Sequence, residues 1–202
     1  MRILKKTAVV LAAAVIAAAV MTIFPAVLTL ARAASVTQVR STEETMKIVS
    51  TAFGEGQPIP KRFTCEGDDL SPALSWSDVP AAAKSLALIV DDPDAPDPAA
   101  PKMTWVHWVL YDIPVSSNGL SEAVAASALA PPTREGTNDW QRKGYGGPCP
   151  PIGRHRYFFK LYALDTQLGD KGALTRKQLE TAMEGHVLGQ TQLMGTYQKG
   201  DK

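Results

Sequence analysis

The chain has 202 residues, with 21 lysines and arginines against 20 aspartates and glutamates, so it carries almost no net charge. This balance argues against nucleic-acid binding, which needs a basic surface. Charged residues make up 20% of the sequence and the hydrophobic set 45%, with 15 glycines and 15 prolines. These proportions exclude a disordered chain, a long coiled coil and a helical bundle, and they predict one loop-rich globular domain.

The first 33 residues have the pattern of an export signal. Three basic residues within the first six precede an apolar run from Thr7 to Ala31, and residues 31–33 (ARA) fit the small-x-small pattern that signal peptidase accepts. Cleavage there would leave Ala34 as the first residue. The run of about 25 residues is also long enough to span a bilayer, so an uncleaved membrane anchor is the alternative. Both interpretations place the rest of the chain outside the cytoplasm, as a periplasmic or secreted protein.

The remaining sequence divides into a short linker and one domain. Residues 34–46 are polar and are predicted to be the linker, and residues 47–202 are predicted to be the domain. Without the first 33 residues the chain keeps 17 basic and 20 acidic side chains, a net charge of −3. The exported domain is therefore expected to be mildly acidic.

Cys65 and Cys149 are the two cysteines of the chain. In an oxidising compartment an even pair is expected to form a disulfide, and two buried free thiols are the alternative. A bond that closes a loop of roughly 80 residues would stabilise the fold by up to about 4 kcal/mol on the chain-entropy model.

The apolar segments after residue 46 are short, rich in β-branched and aromatic residues, and separated by glycine and proline clusters, which indicates strands. One segment has a helical period instead: residues 175–178 (TRKQ) form a capping box, and Leu179, Met183 and Val187 recur every four residues. Residues 121–130 form either a second short helix or a loop. The sequence therefore predicts a mostly-β domain of two packed sheets with a few short helices. The predicted strands are Lys47–Phe53, Ala73–Trp76, Ser85–Asp91, Thr104–Ile113, Arg156–Leu164 and Gln192–Tyr197.

His186 falls at the end of the predicted C-terminal helix. An imidazole in this position is stabilised by the helix dipole, by roughly 0.3 to 1 kcal/mol, without any ligand. We therefore expect His186 to have a structural role.

Three carboxylates directly follow a buried-looking strand at residues 91–96 (DDPDAP). Clustered carboxylates suggest a metal site or an acid/base site. The alternative is a proline-fixed turn in which the aspartate side chains accept backbone N–H bonds.

His107 lies in an apolar strand at residues 104–111 (TWVHWVLY). It is either a hydrogen-bonded core histidine or a ligand-binding one. Period-two alternation predicts that Trp105, His107, Val109 and Tyr111 share one face and that Val106, Trp108 and Leu110 share the other.

A glycine- and proline-rich loop at residues 144–153 (GYGGPCPPIG) runs into His155 and Tyr157, which are expected to share a strand face. Glycines expose backbone N–H groups and prolines hold a loop open, so a small anion could be cradled here. An irregular hairpin connection is the alternative.

Together these three stretches resemble the bacterial branch of the phosphatidylethanolamine-binding protein family, also called the Raf kinase inhibitor protein family. The resemblance implies a β-sandwich-like domain with one shallow pocket for phosphate-bearing or other small anionic groups, without an obligatory metal or other cofactor. It extends from about Lys47 to Gln198 and is carried by DDPDAP at 91–96, VHWV at 106–109, GPCPP at 147–151 and HRY at 155–157.

The resemblance also implies which residues form the pocket. Two imidazoles, a phenol and open backbone N–H groups can hold phosphate oxygens, and imidazole protonation is expected to strengthen that hold below about pH 6.5. The acidic residue is expected to orient a histidine rather than touch an anion. The implied residues are Asp92 at the pocket edge, His107 on its floor, Gly147, Pro150 and Pro151 at its rim, and His155 with Tyr157 on the far wall.

These observations favour a non-enzymatic binding protein for a small anionic or phosphorylated ligand, with a protein partner as a further expectation. A secreted inhibitor of a protease or signalling protein, acting through another surface, is the first alternative. A metal-assisted hydrolase is the second, because Asp92, His107 and His155 would suit Zn²⁺ or Fe²⁺. The lack of Gly-x-Ser-x-Gly and His-Glu-x-x-His patterns argues against an enzyme. Membrane contact is expected only through an uncleaved N-terminal segment.

Overall fold

The structure, a computed structural model, describes residues 45–201. The predictions for residues 1–33 lie outside this part of the chain, and so does the predicted linker except for Thr45 and Met46. Met46 is buried in the core directly before the first strand. Within the described residues, no helix has the length and apolar character needed to cross a membrane.

The described residues form two antiparallel sheets, which confirms the predicted mostly-β architecture. The smaller sheet has the order β1-β2-β5 and the larger one the order β6-β4-β3-β7-β8. The strands are β1 (Lys47–Ser50), β2 (Leu74–Ser77), β3 (Ser85–Ala95), β4 (Met103–Ile113), β5 (Gly119–Leu120), β6 (Arg134–Glu135), β7 (His155–Leu164) and β8 (Val187–Tyr197).

The helix α1 (Arg176–Met183) begins where the capping box predicts. The Thr175 hydroxyl accepts the N–H of Gln178, and the Gln178 side chain accepts the N–H of Thr175 at 2.9 Å. The helix ends earlier than its apolar period indicates, because Gly185 takes a φ of +78° that helical residues do not adopt. Val187 is therefore the first residue of β8, and the prediction that it continues the helix is wrong.

His186 lies between α1 and β8 and not on the helix. Its Nδ1 lies 2.8 Å from an Asp165 carboxylate oxygen, and both side chains are nearly half exposed. A structural role for His186 thus comes from this surface pair and not from the helix dipole.

Several strand boundaries differ from the prediction by one to five residues, and the structure also decides what residues 121–130 form. The first strand ends at Ser50, whose hydroxyl accepts the N–H of Ala52 and turns the chain. Residues 121–130 contain only a short 3-10 helix at Ala126–Ala128. The last strand begins five residues earlier than predicted, at Val187.

The main core lies between the two sheets. Ile48 and Trp76 from the smaller sheet are buried in one cluster with Leu88, Trp108 and Phe159 from the larger sheet. The outer face of the larger sheet is covered by α1, which buries Leu179 and Met183 in a second apolar cluster. The central strands β3 and β4 are therefore buried on both faces, which explains their nearly continuous apolar sequences.

A β-bulge at His107 changes which residues of β4 share a face. Val90 pairs with Trp108 while Asp91 pairs with Val106, so His107 is the extra residue. Val109 and Tyr111 consequently pack with Val106 in the outer cluster, and the predicted strict alternation is wrong. The bulge leaves the His107 ring on the side of Tyr157, which belongs to the core between the sheets.

Cys65 and Cys149 are joined by a disulfide, as predicted, with their Cα atoms 5.4 Å apart. The bond connects the loop after residues 61–63 to the glycine- and proline-rich loop. The Cys65 N–H also donates to the Pro148 carbonyl at 3.1 Å.

Candidate functional site

The three carboxylates of residues 91–96 lie within β3 and not in a turn after it, because the strand continues to Ala95. Successive residues of a strand point to opposite faces, so Asp91 and Asp92 separate. Asp91 is fully buried, and one of its oxygens lies 2.7 Å from Lys160 Nζ and 3.6 Å from an Arg176 nitrogen. The cluster suggested by the sequence is therefore divided in the structure.

Asp92 and Asp94 also have separate basic partners. Asp92 Oδ2 lies 2.6 Å from His155 Nδ1, and Asp92 Oδ1 accepts the N–H of Asp94. Asp94 receives a bidentate pair from the Arg156 guanidinium at 2.9 and 2.7 Å, together with the Arg156 N–H. The Arg156 hydrogen bonds lower the pKa of Asp94, whereas burial raises the pKa of Asp92 against the opposing effect of the His155 hydrogen bond.

A cavity of about 300 Å³ lies where the ends of β3, β4 and β7 meet two loops. Its polar side chains are Asp92, His107 and His155, and its other walls are apolar. The structure thus brings together five of the seven residues implied by the family resemblance, whereas Gly147 and Tyr157 do not line the cavity. The remaining lining residues are Ala95, Pro96, Met103, Trp105, Trp140, Cys149, Pro150 and Pro151.

His155 is completely buried and held by two oxygen atoms. Its Nδ1 faces Asp92, and its Nε2 lies 3.0 Å from the Ile152 carbonyl oxygen. Both ring nitrogens are therefore occupied by the protein. Asp92 positions this ring, as expected for an acid beside a histidine.

His107 is held differently, with one nitrogen committed to the backbone. Its Nδ1 donates to the Gly146 carbonyl oxygen at 2.6 Å. Burial lowers the pKa of His107 to about 4. Burial therefore favours the neutral ring in the unliganded protein and opposes the expected gain of a proton near pH 6.5. Nε2 is left as an acceptor.

Tyr157 lies behind the two imidazoles and not on a wall of the cavity. Its ring meets the His107 ring edge-on at 5.2 Å and stacks on His155 at 6.4 Å, measured between centroids. Burial raises the pKa of its phenol. Among residues 45–201, no group forms a hydrogen bond with this buried hydroxyl.

Gly147 connects two loops instead of forming the rim. Its N–H donates to Asp69 at 2.6 Å. A Cβ at this position would lie 2.4 Å from the Phe63 carbonyl oxygen, so only glycine fits. This close approach and the nearby disulfide hold the loop that carries Pro150 and Pro151.

Replacing Gly147 by alanine is expected to lower the free energy of unfolding by about 2 kcal/mol or more, because backbone atoms must move apart. Gly54→Ala is the matched control, since its Cβ would meet only Gln57 Cγ at 3.5 Å. Urea denaturation of both variants measures the difference. Equal stability of the two variants would contradict the packing role of Gly147.

Five apolar wall residues were not predicted from the sequence as site residues: Ala95, Pro96, Met103, Trp105 and Trp140. Trp105 precedes His107 by two positions on the strand, and this spacing could have indicated that Trp105 belongs to the site. Trp140 comes from a loop, and its ring packs edge-on against Trp105 and His107 at 5.4 and 5.1 Å. Neither Trp140 nor Met103 carries a local pattern that indicates a site.

No three histidine, cysteine, aspartate or glutamate side chains of residues 45–201 are grouped so that they could hold a metal ion. His155 has both nitrogens engaged, and Asp92 is paired with it. The described geometry therefore does not support the metal-assisted hydrolase.

The sequence profile of phosphatidylethanolamine-binding proteins matches residues 49–198. The chain belongs to the phosphatidylethanolamine-binding protein family. This membership confirms the resemblance found in the motifs at 91–96, 106–109 and 147–157.

Curated relatives match about three quarters of the chain. A UPF0098 protein of Methanothermobacter thermautotrophicus is 49% identical over 156 residues, which are 77% of this chain and 100% of the relative. A UPF0098 protein of Chlamydia pneumoniae is 46% identical over 154 residues, 76% of this chain and 99% of the relative.

Two crystal structures of the phosphatidylethanolamine-binding protein family share the fold. A homologue from Chlamydia trachomatis has a TM-score of 0.70 at 43% identity, covering 77% of this chain and 98% of its own. Escherichia coli YbcL has a TM-score of 0.68 at 27% identity, covering 76% of this chain and 98% of its own. Both solved chains consist almost entirely of the matched region.

Proposed function

We propose that the chain is a non-enzymatic binding protein whose cavity takes the phosphate or another small anionic group of a ligand. The observation that carries this proposal is that Asp92, His107 and His155 line one otherwise apolar cavity. Family membership supports a binding role. An apolar enclosure with a few convergent polar groups is the usual form of a small-ligand site.

The hydrogen bonds within the protein indicate which groups would contact the anion, because a group that is already engaged cannot also donate to a ligand. Both ring nitrogens of His155 are engaged, one by Asp92 and one by the Ile152 carbonyl oxygen. His155 would therefore hold the Asp92 side chain in place at the cavity. A proton gained at His107 Nε2 would make this nitrogen a donor. Trp105 lines the cavity, and its buried N–H is a further donor without a hydrogen-bond partner among the described residues. Charge-assisted and neutral donors of this kind can hold anionic oxygens.

The low pKa of His107 sets the pH dependence of this binding. An anion beside the ring raises the pKa of His107 above its value of about 4 in the free protein. The complex then holds one more proton than the free protein, so affinity rises as pH falls through the raised pKa and levels off near pH 4. Because one proton is taken up, the affinity changes by at most about tenfold per pH unit.

Calorimetric titration with glycerophosphoethanolamine at pH 5.5 and pH 8 tests the proposal. This phosphodiester keeps its charge over the range, so only the protein titrates. We expect binding to be at least about fivefold tighter at pH 5.5, because His107 gains a proton in the complex. His107→Gln should remove the pH dependence, and the control His186→Ala should keep it. No binding at either pH, or an unchanged slope in His107→Gln, would contradict the proposal.

We also propose that the chain is exported. The disulfide between Cys65 and Cys149 supports this, because such bonds persist mainly in oxidising compartments. Intact mass of the protein recovered from the periplasm or the medium would show whether it begins at Ala34. Recovery of the whole chain in the cytoplasm would contradict export.

A further inference from the structure

Part of the outer edge of β8 is already paired with another segment of the chain. β8 is the last strand of the larger sheet, and its Met194 and Thr196 form backbone hydrogen bonds with residues 56–59 on the side away from β7. The Gly56 N–H donates to Met194 at 2.8 Å, and the Ile59 N–H donates to Thr196 at 2.7 Å. Residues 56–59 run parallel to β8 at this point. One half of this edge therefore binds an extended segment.

The other half of the same edge is open. The pairing of β7 with β8 keeps a regular register over residues 189–197. Gln190 and Gln192 therefore direct their N–H and C=O groups to the same side as Met194 and Thr196, because backbone direction repeats at every second residue of a strand. Both glutamines are exposed, and no residue among 45–201 forms a hydrogen bond with these backbone groups. We call the outward backbone groups of Gln190 and Gln192 the open edge.

The open edge lacks the features that usually keep an edge strand from pairing. Natural edge strands often carry lysines, other charges or prolines that block the addition of another strand. The eleven residues of β8 (VLGQTQLMGTY) include neither a charged residue nor a proline. The open edge is therefore a suitable template for a further strand.

A groove beside the open edge can receive side chains of such a strand. The groove has a volume of about 300 Å³ and lies on the outer face of the larger sheet, where Tyr162 packs against the second apolar cluster. Side chains of an added strand alternate between the two faces, so every second one would lie over this groove. The lining residues are Lys160, Tyr162, Gln190, Thr191 and Gln192.

We propose that the open edge binds an extended, uncharged segment of another protein as an additional strand. Backbone hydrogen bonds supply the affinity in this kind of recognition, and a neighbouring groove selects alternate side chains. The segment is uncharged because β8 offers no ionic partner, and Lys160 in the groove is already paired with Asp91 at 2.7 Å. A charged side chain there would lose water without gaining a partner.

An extended segment fits the open edge better than a second copy of this chain does. Two copies paired antiparallel about Thr191 would place Met194 of one copy opposite Leu188 of the other. Residues 56–59 already cover the outer edge of β8 at Met194 and Thr196. In such a dimer they would occupy the space that Val187 and Leu188 of the other copy require. A single extended segment brings no such flanking residues.

The open edge is separate from the cavity. Gln190 pairs with Tyr162 near one end of β7, whereas the cavity residue His155 begins the other end and pairs with Tyr197. At about 3.3 Å per residue, the two positions on β7 lie roughly 20 Å apart. The inference therefore goes beyond the proposed function and does not depend on it.

Fluorescence anisotropy with a labelled synthetic peptide tests the proposal on the whole protein. The probe is an uncharged peptide of alternating threonine and valine, with acetyl and amide ends, because these residues favour strands. Gln192→Pro removes an outward N–H and places a ring at the edge, without removing a hydrogen bond to β7. We expect it to weaken peptide binding by at least about tenfold. The matched control Gln192→Ala keeps the N–H and should bind the peptide like wild type.

Hydrogen exchange tests the same site without a substitution. Saturating peptide should slow exchange of the Gln190 and Gln192 amides by at least about tenfold, because these amides become hydrogen-bonded. The exposed amide of Lys171, in a loop, should be unaffected. Gln192→Pro should still bind glycerophosphoethanolamine like wild type, which shows that the domain is intact.

Three results would overturn the proposal: no peptide binding by wild type, equal peptide binding by Gln192→Pro, or amides at 190 and 192 that stay unprotected in the complex. A dimer that protects these amides without the peptide would assign the open edge to a second copy, and would also overturn it. If wild type binds the peptide but not glycerophosphoethanolamine, the proposed function fails and the open edge stands as a binding site.

Discussion

Replacing Cys65 and Cys149 together by serine is expected to lower the free energy of unfolding by about 4 kcal/mol. The disulfide closes a loop with a sequence separation of 84 residues, and the chain-entropy model assigns a loop of this length a stabilisation of about 4.5 kcal/mol. Strands β2 to β6 all lie inside the loop, so the constraint acts on most of the domain. Urea denaturation of wild type and the double variant measures the change.

Reduced wild type is the control for the serine substitutions themselves. Cys65 is exposed and Cys149 only partly buried, so replacing sulfur by oxygen should cost little beyond the loss of the bond. Reduced wild type and the double variant should therefore unfold at nearly the same urea concentration. A change below about 1 kcal/mol in both would contradict the entropic role of the bond.

Asp92→Ala is expected to destabilise the domain by about 3 kcal/mol or more. The substitution leaves His155 Nδ1, which is completely buried, without its acceptor at 2.6 Å, and it also removes the acceptor of the Asp94 N–H. Breaking a buried pair by removing one partner typically costs about 3 to 5 kcal/mol. Thermal and urea unfolding at pH 7 measure the loss.

Asp92→Asn tests the contribution of the negative charge while the size of the side chain stays nearly the same. The amide keeps an acceptor oxygen for one N–H and fills the same volume, so we expect a smaller loss of about 1 to 2 kcal/mol. Asp97→Ala is the matched control, because Asp97 lies in the exposed turn after Pro96 and accepts only the local N–H of Ala99. If the Ala variants at 92 and 97 were equally stable, Asp92 would have no part in holding His155.

The fold class was predictable because the domain follows local rules along most of its length. The apolar runs of β3, β4 and β7 predict strands, and the Thr175 capping box predicts the start of α1. The family motifs also indicated that the polar residues of the cavity would come together, and Asp92, His107 and His155 do so.

The errors came from positions where local pattern and tertiary structure disagree. Val187 fits the helical period of Leu179 and Met183, but the turn at Gly185 starts a new strand instead. The alternation in β4 failed at His107, because a bulge depends on the register with β3 and leaves no mark in the sequence of one strand. Trp140 reaches the cavity only through the fold of its loop.

The division of the carboxylates in β3 determines the electric field at the cavity. Lys160, His155 and Arg156 each lie beside a different one of these acids, within 2.7 Å. In the Asp91–Lys160 and Asp94–Arg156 pairs the opposite charges cancel each other's potential over distances well below the screening length of about 8 Å at physiological ionic strength. An anion arriving from solvent therefore meets a strand end at which two of the three aspartates are paired with cations. Its approach is governed by shape and by the donors inside the cavity, and salt should change its association rate little.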